Sequence, residues 1–282
     1  MKDVQSQADD RNIPIDRVGV KGLRYPITVL DRARKKQHTI ASVNMFVNLP
    51  HRFRGTHMSR FVEILSEHRD ALHIDTISDI LEKMKDRLDA EEAHMEVAFP
   101  YFIEKKAPAS GTASLMEYGC SYVGTLGRRR DFILGVSVPV TTVCPCSKEI
   151  SDRGAHNQRS VVTIRARFRK FVWIEELVET AEAAASCPIW PLLKRSDEKA
   201  VTERAYDHPR FVEDVVREVA LRLDRDPRIV WYRVESENME SIHNHNAYAS
   251  IERRPPSAKP AGASPRKAAE RKRPVSRGKR RG

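Results

Sequence analysis

The densest reactive chemistry in the chain lies between positions 144 and 159. Cys144-Pro145-Cys146-Ser147-Lys148-Glu149-Ile150-Ser151 is followed closely by Gly154-Ala155-His156-Asn157-Gln158-Arg159. Two thiols, a lysine and an imidazole in so short a turn-rich segment suit a site on a loop between strands. Thiolate and imidazole are preferred ligands of zinc and related borderline metals. A closed structural zinc site wants four Cys or His ligands with paired spacing. Cys-x-Cys with one neighbouring His leaves that pattern incomplete. An open, catalytic metal site is therefore favoured over a structural one or a pair of buried thiols.

A second cluster gathers Glu235, Glu237, Asn238, Glu240, His243, Asn244, His245 and Asn246. His243 and His245 are two apart, so on a strand they project from one face. Histidine is the natural acid–base group near neutral pH. By itself His-x-His is a common surface pattern; beside the thiol cluster it becomes the other half of one site. A third cluster runs from Lys194-Arg195-Ser196-Asp197-Glu198-Lys199 to Glu203-Arg204. Alone it reads as a solvated first helical turn capped by Ser196 or Asp197.

The elements that must position these groups are strands and amphipathic helices in alternation. Segments 18–30 and 37–49 are rich in β-branched residues and read as strands. Helical spacing follows over 55–68 and, more strongly, over 76–88, where Ile77, Ile80, Leu81, Met84 and Leu88 recur at three- and four-residue steps. Period-two alternation then predicts strands over 93–105, 113–125, 131–140 and 161–172. Helices are expected over 174–185 and 210–223, and strands over 229–237 and 241–251. Arg60-Phe61-Val62-Glu63 recurs as Arg210-Phe211-Val212-Glu213, and Arg87-Leu88-Asp89 as Arg222-Leu223-Asp224. The implied plan is two tandem units of two strands, two helices and two strands. That order predicts an α+β protein with antiparallel sheets and helices on one face.

The net charge of +11 invites a nucleic-acid reading until it is located. Residues 253–282 carry 12 Lys/Arg against one acid, Glu270, while the rest of the chain has 38 bases and 38 acids. The tail holds five prolines and no Leu, Ile, Phe, Tyr or Trp. It cannot bury enough apolar area to offset the entropy of ordering, so a disordered basic tail is expected, able to touch nucleic acid or an acidic surface non-specifically. Three parts are expected: a flexible lead (1–15), a catalytic body (16–252) and the tail (253–282). No apolar run reaches 18 residues, so no transmembrane helix is expected. The polar N-terminus lacks a signal-peptide layout, which points to the cytoplasm. Four cysteines without a secretory signal do not argue for disulfides.

Taken together, the three clusters resemble the signature of the type IB GTP cyclohydrolases. Gly55-Thr56-His57-Met58-Ser59-Arg60-Phe61 matches that family as well, and the resemblance runs from about Val18 to Ile251. It implies the bimodular tunnelling fold (T-fold), a homo-oligomer (a homotetramer) with active sites at subunit interfaces, and GTP as substrate. The implied reaction converts GTP and water to 7,8-dihydroneopterin triphosphate and formate, the first step of folate biosynthesis. The resemblance implies a divalent metal (Zn, Mn or Fe) held by Cys144 and His156, with Glu198 chosen as a further ligand. It also implies that Glu213 anchors guanine, although Glu63 is its sequence twin in the other unit.

The chemistry agrees. Opening the imidazole ring of guanine needs water to add at C8, and a metal ion can lower the pKa of bound water from about 15.7 to about 7. Cys144, Cys146, His243 and His245 are the candidate catalytic residues, either histidine being placed to protonate N7. A carboxylate facing N1–H and the 2-amino group reads guanine by two hydrogen bonds. Lys148, Arg159, His57 and Arg60 are candidates for the triphosphate. Two rival readings compete with this one. One is a nitrile reductase of queuosine synthesis on the same fold, whose nicotinamide motif and cysteine context are not visible here. The other is a nucleic-acid-binding protein acting through the tail, against which the neutral body argues.

Overall fold

A computed structural model of the chain describes Gln5, Gln7 and residues 9–68 and 72–255. Its strands are β1 (Ile15–Asp31), β2 (Lys35–Leu49), β3 (Ala93–Lys106), β4 (Ala113–Leu126), β5 (Arg130–Val143), β6 (Asn157–Phe168), β7 (Cys187–Pro188), β8 (Ile229–Met239) and β9 (Ala247–Arg253). Its helices are α1 (Met58–Ser66), α2 (Ile74–Arg87), α3 (Pro145–Ile150), α4 (Ile174–Ala184), α5 (Arg195–Asp207) and α6 (Val212–Arg225). The expected basic tail lies outside the described residues beyond Pro255.

Eight strands form one antiparallel sheet in the order β1-β2-β3-β4-β5-β6-β8-β9, and β7 pairs with β5 off that path. The period-two pattern explains which face is covered. On β2 the buried residues are Ala41, Val43, Met45, Val47 and Leu49; on β3 they are Ala93, Met95, Val97, Phe99 and Tyr101. Helices α1 and α2 close this face with Phe61, Ile64, Leu65, Ile77, Ile80, Leu81 and Met84. Each fully buried side chain of this size contributes about 1.5–3 kcal/mol by leaving water. Gly124 on β4 lets α2 lie flat, because a Cβ there would stand 2.7 Å from Ile77 Cγ2 and 3.0 Å from a Leu81 methyl. In the second half, α4 and α6 cover β5, β6 and β8 through Leu177, Val178, Val215, Val216 and Val219. On the opposite face Ser42, Ser121, Ser137, Thr163 and Arg165 line an open hollow, with no helix over it among the described residues.

This is the bimodular T-fold, with the two modules fused through the β4–β5 pairing from Gly119↔Ser137 to Leu126↔Arg130. The layout of two strands, two helices and two strands occurs twice, with α3, β7 and α5 added to the second copy. The short sequence repeats do not mark equivalent places, however. Arg60–Glu63 falls in the first helix of the first module, whereas Arg210–Glu213 opens the last helix of the second. The matched triplets close α2 and α6, so the paired motifs span two helices in one module and one in the other. What recurs is the demand of a helix start and end, not an inherited register.

Two further expectations change. The strand expected over 241–251 begins only at Ala247, and the residues before it form bends. Asn, Ser and His at 241–246 supply few β-branched side chains to pair. The segment after Cys144 is the short helix α3 rather than plain loop, with Pro145 at a first position that has no N–H to lose.

Candidate active site

The β5–β6 connection carries the thiol cluster. Cys144 precedes α3, and its Sγ accepts a long bond from Ser147 N at 3.5 Å. Cys144 N donates to His156 O at 3.1 Å. His156 N donates to Ser147 Oγ at 3.2 Å. The loop is thus closed on itself, with Cys144 and His156 side by side at the ends of adjacent strands. Gly154, at φ +134°, makes the turn that a side chain would strain.

Strand register sets the surroundings. Thr142 pairs with Gln158, Ser160 with Asn238, and Val162 with Ser236. Side chains two apart share a face, so His156, Gln158 and Ser160 form one row and Ser236, Asn238 and Glu240 a parallel one. Thr142, Ser160 and Ser236 are fully buried, and Asn238 and Gln158 retain 3% and 7% of their exposure. This polar floor interrupts a largely apolar core. Gln158 Nε2 donates to Thr142 Oγ1 at 2.9 Å, and Thr142 Oγ1 lies 2.8 Å from Ser160 Oγ.

Above this floor lies a cavity of about 240 Å³. Cys144, His156, Gln158, Asn238, Glu240 and His243 line it from the sheet and its loops. Arg210, Phe211, Val212 and Glu213 line it from the start of α6, pinned beside the thiol loop by a bond from Arg210 N to Val143 O at 3.0 Å. Glu213 thus brings its carboxylate to a helix N-terminus, where negative charge is stabilised.

His156 Nδ1 stands 3.2 Å from Ser241 Oγ and 4.0 Å from Glu240 Oε2. That contact orients the ring and leaves Nε2 as the nitrogen for an ion. Glu240 Oε2 is buried and makes no hydrogen bond. An orphaned carboxylate oxygen, a thiol and an oriented imidazole on one cavity make a donor set that fits a divalent cation. Among the described residues no three His, Cys, Asp or Glu side chains already stand close enough to hold one.

The remaining sequence candidates divide between the cavity and the surface around it. His243 lines the cavity, but His245 does not; the two rings stack, with centroids 5.3 Å apart. Cys146 is exposed on α3. Lys148 Nζ donates to Tyr206 O and sits 4.2 Å over the Tyr206 ring. Arg159 is exposed and, by alternation, faces away from Gln158. Glu198 is exposed on the first turn of α5 and does not line the cavity. Its neighbour Asp197 is fully buried and accepts from Ala109 N, Ser110 N, Ser110 Oγ and Lys194 N, docking α5 on the β3–β4 turn. Burial works against the Asp197 anion, yet those four donors outweigh it and hold its pKa well below the ordinary value. Arg60 Nη1 caps the end of α2 at Arg87 O, and Glu63 lies on α1 in the other module.

Sequence reasoning assigned no role to Gln158, Asn238, Glu240 or Arg210. Their signal was present in the two-residue spacing of His156 with Gln158 and of Asn238 with Glu240. It could be read only once β6 and β8 were known to be neighbours.

Fold and cavity together define a T-fold protein with a polar cavity lined by Cys144, His156, Glu240 and Glu213. The chain belongs to the type I GTP cyclohydrolase FolE2 family, whose family model matches residues 1–249. It is 58% identical over 252 residues to the GTP cyclohydrolase FolE2 of Syntrophotalea carbinolica, covering 89% of this chain and 95% of that one. It is 59% identical to the proteins of that name from Geobacter sulfurreducens and Kosmotoga olearia, covering 89% and 90% of this chain and 98% of each of those. Membership brings with it GTP cyclohydrolase activity and a metal requirement. Among solved structures, urate oxidase from Bacillus sp. TB-90 superposes with a TM-score of 0.52 at 8% identity, over 85% of this chain and 100% of that one. Uricase from Arthrobacter globiformis gives 0.50 at 10%, over 84% and 93%. At such identities the likeness is one of fold alone. No described helix is long and apolar enough to cross a membrane.

Proposed function

We propose that the cavity between Cys144 and Glu213 is where GTP and water become 7,8-dihydroneopterin triphosphate and formate, committing GTP to folate synthesis. The observation that carries this reading is the gathering of Cys144, His156, Glu240, His243 and Glu213 on one cavity. Cys144 and His156 would hold the metal, with Glu240 on the Nδ1 side of the His156 ring, and zinc, manganese and iron all suit such donors. When bound, a divalent ion lowers the pKa of water toward neutrality and so supplies a nucleophile. Glu213 accepts from guanine N1–H and the 2-amino group, which presents the imidazole ring to Cys144 and His156. His243 gives a proton to N7 as C8 is attacked, and the adduct's C8–N9 bond then breaks as N9 takes up the proton released by the added hydroxyl, leaving a formamide on N7. A second addition of water at the same carbon breaks C8–N7 and releases formate, and the ribose then opens, rearranges to a ketone and condenses with the freed amine, losing water, to close the pterin ring. Glu198, Cys146 and His245 are left outside this scheme within one subunit.

A cavity of about 240 Å³ is smaller than the roughly 300–1,000 Å³ usual for a ligand pocket. It suits the base but not the triphosphate, and the cations expected for the phosphates lie elsewhere. Completion by a second copy in a homotetramer accounts for both. The free edges of β1 and β9 offer the pairing surfaces. A cytoplasmic place fits a nucleotide substrate.

The test is incubation of metal-reconstituted protein with GTP, followed for formate and, after oxidation, for a fluorescent pterin. Both products in equal amounts are expected. GTP consumed to GDP and phosphate, with no formate, would overturn the reading.

A further inference from the structure

The polar floor of the cavity has a use that the two-point contact of Glu213 with guanine does not cover. Gln158 Oε1 and Asn238 Oδ1 are buried acceptors without a hydrogen-bond partner. Both residues line the cavity, on adjacent strands and on one face. The Gln158 amide is held by its Nε2–Thr142 bond, which leaves Oε1 as the unpaired end. Arg210 Nε, on the facing wall, is a buried donor without a partner. Leaving a buried polar group unpaired costs about 1–3 kcal/mol, so two acceptors and a donor around one cavity imply a ligand that pairs them.

Guanine presents three N–H bonds on its pyrimidine edge, one at N1 and two on the 2-amino group. A single carboxylate accepts N1–H and one amino hydrogen. The second amino hydrogen then needs its own acceptor if the base is buried. O6, next along the edge, needs a donor. We propose that the Gln158–Asn238 amide pair accepts the second 2-amino hydrogen, with Arg210 donating to O6, and so makes the cavity read guanosine against inosine. The inference rests on the GTP reading of this cavity and adds a specificity determinant to it. Neither amide touches the reacting carbon; their work is discrimination.

The experiment compares GTP with ITP, which lacks the 2-amino group, in competition on the metal-loaded full chain. Where ITP binds without turnover, its inhibition constant replaces its rate. The variants are Asn238→Leu and Gln158→Met, close in shape to the residues they replace. Wild type is expected to favour GTP over ITP by at least tenfold. At least one variant should lose about tenfold in kcat/KM for GTP, in keeping with one lost pairing to a buried group, while ITP is handled as before. Persistence of the ITP signal shows that the variant is folded and loaded. An unchanged GTP-to-ITP ratio in both variants, or an equal loss on both nucleotides, would overturn the assignment. Wild-type protein that forms no formate from GTP would instead remove the functional reading beneath it.

Discussion

Replacing Tyr101 by Phe tests how the two modules are joined. Glu175, at the start of α4 in the second module, is 6% exposed. Its Oε1 accepts from Tyr101 Oη at 2.7 Å on β3 and from Arg32 N at 2.9 Å after β1, both in the first module. Its Oε2 has no partner. Burial first, and then the bond and charge of Glu175, hold the Tyr101 phenol far above its ordinary pKa, so it remains a donor at any working pH. Tyr101→Phe keeps the buried ring and removes only the hydroxyl. A hydrogen bond to a charged group contributes about 1.5–3 kcal/mol. With one backbone N–H left to serve the carboxylate, the expected loss is about 2 kcal/mol, or roughly 4–8 °C in melting temperature for a chain of this size. Tyr118→Phe is the comparison. Glu182, its partner at 2.6 Å, keeps Lys105 Nζ at 2.6 Å, so that variant should lose about 1 kcal/mol. The assay is thermal and urea unfolding at matched protein and metal concentration. A Tyr101→Phe variant within about 0.5 kcal/mol of wild type, the ordinary scatter of surface changes, or one less affected than Tyr118→Phe, would refute the role given to the Tyr101–Glu175 bond in joining the modules.

Further outcomes are expected at the cavity and around it. His243→Ala should keep its metal content and lose about 10²-fold or more in kcat, the range for a general acid. His245→Ala should fall far less, because His245 stands off the cavity wall; metal analysis with steady-state rates separates the two, and stoichiometric loss of metal from His243→Ala would make it a ligand instead. A third expectation concerns pH. The Arg228 side chain first, opposed by burial, holds the Asp226 carboxyl below its ordinary value. Burial raises Glu176, but bonds from Arg228 and Trp173 N outweigh it, and the net shift is downward. Groups with lowered folded pKa values contribute stability above the unfolded value of about 4, and that contribution fades as pH falls through the folded values. Melting temperature should therefore drop more steeply between about pH 5 and pH 3 in wild type than in Arg228→Met; equal slopes would contradict the pairing.

Much of the fold could be read from the chain because its strands alternate cleanly and its helices repeat every three or four residues. Met95, Val97, Phe99 and Tyr101 announce β3, and Ile77, Ile80, Leu81 and Met84 announce α2. The chain did not reveal which strands are neighbours, and the site depends on that. Cys144 and His156 stood out because their types are rare and reactive. Gln158, Asn238 and Arg210 carry no such flag; they matter because β6 and β8 lie side by side beneath α6. The histidine pair was misplaced for a related reason. Two-residue spacing implies a shared face only on a strand, and His243 and His245 lie in the bends before β9. Asp197 caps α5 through Lys194 N, as its place in the sequence suggests, but that it also clamps α5 to the β3–β4 turn could not be read there.

Ring opening is assigned to the Cys144–His156 cavity. That assignment is tested most directly with GTP carrying ¹³C at C8, following labelled formate by NMR in wild type and in Cys144→Ala under equal metal supply. Wild type should release one labelled formate per pterin, and Cys144→Ala should release none while remaining folded and bearing less metal. Labelled formate at a near-normal rate from Cys144→Ala would place the chemistry elsewhere in the molecule.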